Sequence, residues 1–489
     1  MSKLLKNIIG QGNQKKVIIG VFWSFLGTII SKGFVFIALF LVARNLPVEE
    51  YGKLGLLQSY INTFTFFSLA SFGITATKYL ALYVDSDIKM ASEIYSLTRV
   101  SVFIIAFLIL IFSLFFNSTI SNVIVGDVSL VNEVLICSFT VFFSSMNGLQ
   151  VGALAGLEDF KSISIVSIIN GLISLPLILV ASNYYGVKGI IYAILVVNFL
   201  IWISSAILLQ KKLNKKHVVF TFSNFKNHLD TLYHFTLPNF LSSIMMTPVV
   251  LVCNTILIQN NNKGLYEMGI YNVTMNFSQF GTVLIRIIGQ VVYPMAIKNF
   301  GKKNRKFDFF NINQSYIIGV ILFIPIIILP DFFASIYGDK YEKNSVYLTL
   351  VFVSLSMIIV AQRQGIARNF AAANYMWFSV FGNLLWGVST IILSYMFVDK
   401  GAYGRSLAFF IGYLVNTIIF IPFYIKRKLI DKELILSKGH GLLIVSFIIS
   451  SFVFSLIDNF SVRILICLVL LTLLMLTFKL WYKKYVYAK

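Results

Sequence analysis

Apolar stretches of membrane-spanning length follow one another along nearly the whole chain, separated by short polar links. A helix needs about 20 such residues to cross a bilayer. Fourteen spans are predicted on this pattern: 17–43, 52–80, 93–116, 131–156, 161–182, 187–210, 231–258, 266–297, 311–336, 345–372, 375–397, 402–425, 440–457 and 461–482. An outer-membrane barrel would instead alternate in segments of about ten residues. The expected fold class is therefore an all-α polytopic membrane protein of about fourteen transmembrane helices. The first span is too long for the apolar core of a cleavable signal and lacks a small-residue cleavage site, so it is expected to stay in the protein.

Polar positions inside the spans form stripes. In the eighth span Asn272, Asn276, Gln279, Arg286 and Gln290 recur at helical spacing and share one face. The second span carries Gln58, Asn62 and Thr65, and the first carries Ser24, Thr28, Ser31 and Lys32. Asn239, Ser243 and Asn254 lie in the seventh span, Ser144 and Asn147 in the fourth. A polar face turned to lipid is costly, so these faces are expected to look inward. Isolated Ser, Thr and Asn also suit plain helix-to-helix hydrogen bonding. Pro238 and Pro248 in the seventh span and Pro294 near the end of the eighth are expected bend points, as common in static bundles as in moving ones.

Two segments recur at nearly the same offset, 214 and 215 residues. Leu54–Asn62 (LGLLQSYIN) resembles Met268–Asn276 (MGIYNVTMN), and Gly186-Val-Lys-Gly189 resembles Gly401-Ala-Tyr-Gly404. The match pairs span two with eight and six with twelve, which implies two six-helix halves running in the same sense, with a substrate site between them. The domain division expected is 1–220 (spans 1–6), 221–430 (spans 7–12) and a C-terminal helix pair over 431–489 (spans 13–14).

The net charge of +21 would suggest nucleic acid only if its placement were ignored. With the N-terminus inside, twenty-nine of the forty Lys and Arg fall in inner segments and nine, Arg405 and Arg463 among them, in outer ones. That bias is the positive-inside pattern and supports cytoplasmic termini. No nucleic-acid partner is implied. Cys137, Cys253 and Cys467 all lie within apolar spans without ligand-like spacing, and the four His are scattered, so neither a metal nor another cofactor is expected. No Walker A loop appears, so uphill movement would need an ion gradient or the membrane potential.

Two cations, Lys32 and Arg286, fall deep within spans, whereas all nineteen Asp and Glu fall at helix ends or in links. A charge at the bilayer centre costs roughly 2.5–3.5 kcal/mol on insertion scales. Cations there without an acid point to a cavity for an anion. Arg363 and Arg368, in the inner part of span ten, either face a cytoplasmic vestibule or anchor the inner boundary.

Four segments in order carry a family resemblance: Ala43–Gly52 (ARNLPVEEYG), Gly73–Leu80 (GITATKYL), Gly152–Lys161 (GALAGLEDFK), and Gly269-Ile-Tyr-Asn272 with Tyr293-Pro294. Over spans one to twelve the chain resembles the polysaccharide transporters, the O-antigen and capsule repeat-unit flippases of the multidrug/oligosaccharidyl-lipid/polysaccharide superfamily. That resemblance implies two six-helix lobes around a central cavity, alternating access, and a multi-pass protein of the bacterial inner (cytoplasmic) membrane. It implies a polyprenyl-diphosphate-linked oligosaccharide as substrate, with Lys32 and Arg286 matching the cations that receive its anionic headgroup. The polar stripes add Gln58, Asn62, Asn276, Gln279 and Gln290 as candidate glycan contacts, and Arg363 and Arg368 complete the candidate substrate-binding set. It leaves room for H+ or Na+ as coupling ion and for a polysaccharide polymerase with its chain-length machinery as partners. The dense arginine set that lipid II flippases have at the start of the first helix is missing. Two rivals remain, a multidrug or organic-cation antiporter of the same superfamily and a membrane polysaccharide polymerase. The first normally needs a membrane-embedded carboxylate and the second a large external loop, and neither stands out here.

Overall fold

The computed structural model describes residues 11–487 except 70, 126–127, 222–235, 238–239, 242–245, 300–303, 339, 342, 373–375, 436–448, 451–452, 454–455 and 458. The described residues are helical nearly throughout and form two compact units, Met1–Gln259 and Asn260–Lys489. The expected division at 220/221 lies beside undescribed residues, and helix Met246–Asn260 groups with the first unit.

The first unit contains α1 (Gln11–Asn45), α2 (Val48–Leu69), α3 (Phe72–Tyr83), α4 (Ile88–Ile120), α5 (Val131–Gly156), α6 (Phe160–Lys215) and α7 (Met246–Asn260). The predicted second span is broken into α2 and α3, because Ser71 is left-handed at φ 64°. Its carbonyl is taken up by the Thr75 N–H at 3.0 Å and the Thr75 hydroxyl at 3.2 Å. Such breaks persist inside a membrane where nearby hydroxyls satisfy the freed backbone.

Two segments of the family resemblance meet at one crossing. Gly73 on α3 and Gly152 on α5 approach so closely that a Cβ on Gly152 would run into the Gly73 carbonyl. Thr77 ties the pair, donating to Gly73 O at 2.9 Å and Gly152 O at 2.7 Å. Small residues let membrane helices pack backbone to backbone. The rest of the second segment makes the α5–α6 corner: Glu158 is left-handed (φ 55°), and Asp159 caps α6 by accepting from Ser162 N–H at 3.2 Å.

The second unit contains α8 (Gly264–Asn299), α9 (Arg305–Ile328), α10 (Pro330–Ser335), α11 (Lys343–Ala372), α12 (Met376–Met396), α13 (Gly401–Lys426), α14 (Lys432–Ile435) and α15 (Phe460–Tyr487). α11 lies against α8, α9 and α13. α15 lies along α9, with Trp481 and Tyr482 edge-on to Phe309 and Phe478 edge-on to Tyr316. Arg463 reaches Asp331 at 2.9 Å, and the Tyr485 hydroxyl donates to Asp431 at 3.1 Å.

Among the described residues eight helices are long and apolar enough to cross a membrane, with shorter apolar helices at Met246–Asn260 and Val380–Met396. Predicted spans five and six meet at Gly186, where a non-helical backbone kinks α6 into two helical arms. Span thirteen (440–457) and the start of span seven, with Pro238, Asn239 and Ser243, lie largely outside the described residues.

The internal repeat has a structural counterpart. Gly186 has φ 58° and ψ −141°, and Gly401, its match, has φ 61° and ψ −140°. This backbone region is essentially open to glycine alone.

Candidate functional site

Lys32 sits on α1 beside Ser31, which is buried where Gly171 lets α6 come close; a Cβ on Gly171 would lie 2.7 Å from the Ser31 Cα. One residue further round the helix, Lys32 points away from that contact and is exposed on the first unit. On α2, Gln58 is half-buried and Asn62 exposed, on the opposite side from the buried Leu57, Tyr60 and Ile61.

The α8 stripe is divided by packing. Asn276, with Thr274 and Ser278, is buried. Gln279 and Arg286, two turns apart, are both exposed on the second unit. Gln290 belongs to the same helix, and its side chain lies outside the described residues. Among the described residues no carboxylate pairs with Arg286.

Arg363 and Arg368 part company. Arg368 is 5% exposed, and its Nε donates to Asn311 Oδ1 on α9 at 2.7 Å. Its other nitrogens reach Asn311 O and Ser315 Oγ, and the Asn311 amide in turn donates to Asn369 at 2.7 Å. Arg368 is thereby committed to joining α9 and α11. Arg363 is half-buried, with its guanidinium 5.6 Å from the centre of the Tyr413 ring on α13. Tyr424 lies close by, and the Arg363 Nη1 is buried without an acceptor.

Sequence reasoning overlooked the burial of one cation. Arg405 was counted as an outer-segment charge, but it is 2% exposed. Gly401–Gly404 form the first turn of α13, so Arg405 falls in the second turn, against the core. Its guanidinium lies 5.0 Å from the Tyr271 ring centre and 5.6 Å from that of Phe409. Cation–π contacts are worth roughly 0.5–2 kcal/mol each, so two ring faces offset much of the cost of burying this charge. Phe409, Tyr413 and Trp386 pack on one another with centroids 4.9–5.8 Å apart. Arg286, Arg363 and Arg405 all lie within electrostatic range of Tyr413. The second unit thus gathers three arginines around an aromatic group. The predicted span 402–425 already put Arg405 inside this helix, and the repeat match at Gly401 marks its start; the face on which Arg405 lies was the part missed.

Buried carboxylates do occur in the first unit, Glu93 and Glu133, but both stand in the first two turns of their helices. Glu133 pairs with Lys188 at 3.6 Å. Among the described residues no group of His, Cys, Asp and Glu could hold a metal ion.

Several solved structures share this fold. The lipid II flippase MurJ, in an inward closed conformation, is 16% identical with a TM-score of 0.70, over 96% of this chain and 99% of that one. An inward-facing multidrug resistance MATE family transporter of the MOP superfamily is 16% identical with a TM-score of 0.66, over 83% of this chain and 98% of that one. A MOP superfamily transporter from Pyrococcus furiosus, for which a reversed polarity of the binding pocket suggests a different function, is 17% identical with a TM-score of 0.62, over 84% and 95%. All three are transporters or flippases rather than enzymes. No curated protein matches the chain in sequence. The model of the family described as "Polysaccharide biosynthesis protein" matches residues 17–300, more than half of the chain. Carrying that family's sequence pattern on the helical fold of MOP superfamily transporters, the chain belongs to the polysaccharide biosynthesis protein family.

Proposed function

We propose that the chain is a flippase, moving a polyprenyl-diphosphate-linked oligosaccharide repeat unit from the cytoplasmic to the outer leaflet by alternating access, for O-antigen or capsule biosynthesis. The observation that carries this reading is the charge balance of the second unit. Arg286 is exposed and Arg363 half-buried, and neither is paired with a carboxylate among the described residues. Cations held beside apolar surroundings attract an anion far more strongly than they would in water. A diphosphate offers the oxygens that a guanidinium fork suits. Lys32, exposed on the first unit, is assigned to the same headgroup, and Gln58, Asn62, Asn276, Gln279 and Gln290 to the sugars. A cell interior negative by 100 mV favours outward movement of each negative charge by about 2.3 kcal/mol.

The same charges would repel an organic cation, which weighs against a multidrug antiporter. The extent of the fold likeness points the same way. The lipid II flippase covers 96% of the chain and the other two transporters 83–84%, a surplus about the size of segment 431–489. The reading places the chain in a bacterial inner membrane with both termini in the cytoplasm, alongside a polymerase and its chain-length machinery. H+ or Na+ remains as the coupling ion.

Lys32→Ala and Arg286→Ala test the reading. Each is expected to lower surface polymer by about tenfold or more, the loss of one charge-assisted contact. Undelivered repeat units should build up on the inner leaflet while the protein stays inserted at normal abundance. Normal polymer in both variants would overturn it.

A further inference from the structure

One end of the second unit carries a crevice of about 500 Å³ formed by the link before α8, the start of α11 and the link before α13. Its wall is rich in amides: Asn260 at the end of α7, Asn261 and Asn262 from the link that follows, and Asn344 from the first turn of α11, with Asp399 from the link before α13 and Tyr403 from the first turn of α13. The positive-inside bias assigns this end of the helices to the outer side.

The internal repeat separates what the fold requires here from what it does not. At the offset that matches Leu54 with Met268, the first unit has Leu46-Pro47-Val48 where the second has Asn260-Asn261-Asn262. Leu46 and Val48 are buried, so the same turn is built in the first unit from apolar side chains. Asn261 does have a structural task, donating to Val398 O at 2.8 Å and accepting from Lys263 N–H at 2.9 Å. Asn262 and Asn344 are exposed, and among the described residues neither side chain is spent on a bond within the protein. Planar amides and carboxylates suit adjacent sugar hydroxyls, since each presents a donor–acceptor or acceptor–acceptor pair at hydroxyl spacing. The crevice has two acids, Glu267 and Asp399, and two bases, Lys263 and Lys400, and so no net charge to demand an ionic ligand.

We propose that this crevice is a glycan site on the outer face, binding sugar hydroxyls of the exported saccharide through Asn262, Asn344 and Asp399. The identity of the saccharide rests on the flippase reading; the site and its chemical class rest on the crevice. Two sources share this chemistry, the newly delivered repeat unit and the assembled polymer.

Full-length protein in nanodiscs is titrated with two probes prepared from the cells that express it: surface polysaccharide, and its single repeat unit freed of lipid. Saturable binding of either one is expected, weakened about tenfold or more in Asn262→Ala/Asn344→Ala, as for loss of about 1.4 kcal/mol of hydrogen bonding. Tighter binding of the repeat unit would identify delivery as the source, and tighter binding of the polymer would identify the assembled chain. Asp399→Asn keeps a planar polar group and should retain part of the affinity. No saturable binding of either probe, or binding that the double variant leaves unchanged, would overturn the proposal. Loss of polymer in Arg286→Ala would still uphold the flippase reading in that event.

Discussion

The two repeats share a hinge and diverge in what they bury. In the first unit the buried charges, Glu93 and Glu133, stand in the first two turns of their helices, and the polar contacts deeper in the helices are made by neutral groups. The Tyr60 hydroxyl bridges Ser113 and Ser138, each at 2.9 Å, Ser68 meets Ser145, and Thr75 meets Thr236 at 2.8 Å. In the second unit, guanidinium groups occupy the interior, with Arg405 between Tyr271 and Phe409 and Arg368 on Asn311. A hydroxyl network costs little to desolvate, whereas an interior arginine must be offset by ring faces and amides. The two copies therefore share a backbone feature, while the buried arginines among the described residues fall in the second unit.

The contrast is most exposed to test at Arg405. Arg405→Ala removes a fully buried side chain from between two aromatic rings and should cost about 2–4 kcal/mol. Thermal unfolding of the purified protein would read this as a fall of several degrees. An unchanged melting curve would mean that the aromatic group does not depend on its cation.

A smaller effect is expected at the hinge, where the two copies can be compared directly. An alanine at either position is strained by roughly 1–3 kcal/mol, because both backbones lie in the glycine-only region. At Gly186 the added methyl meets open space, whereas at Gly401 it would run into the Glu267 side chain. Glu267 also accepts the Ala402 N–H at 2.7 Å. Gly401→Ala should therefore destabilise more than Gly186→Ala, and equal melting shifts would show that the Glu267 contact adds nothing.

The smallest effect is assigned to Tyr60→Phe. Ser113 and Ser138 keep bonds at 2.9 Å to their own helix carbonyls, so no orphaned group is left behind. A loss of about 0.6 kcal/mol, the average for such a contact in a membrane, is the expected result. A change as large as that for Arg405→Ala would erase the distinction between the two interiors.

Much of the architecture could be read from the pattern of apolar runs, because length and periodicity alone decide what can cross a bilayer. The repeat offset located both hinge glycines before their backbone angles were known. Other features depend on neighbours distant in sequence. Nothing in the sequence Ala70-Ser71-Phe72 announces the break that the left-handed Ser71 makes. Depth counted from a helix end placed Arg405 at the surface, although the direction it faces, not its depth, buries it. Arg363 and Arg368 looked equivalent five residues apart, and only the position of Asn311 on another helix separates them.

The meeting of Gly73 with Gly152 has a consequence for how relatives are recognised. A protein that keeps this crossing can tolerate only a hydrogen there, whatever freight it conveys. Those fingerprint glycines report the girth of two rods, not the identity of a passenger, so kin sharing them can be expected to differ in cargo.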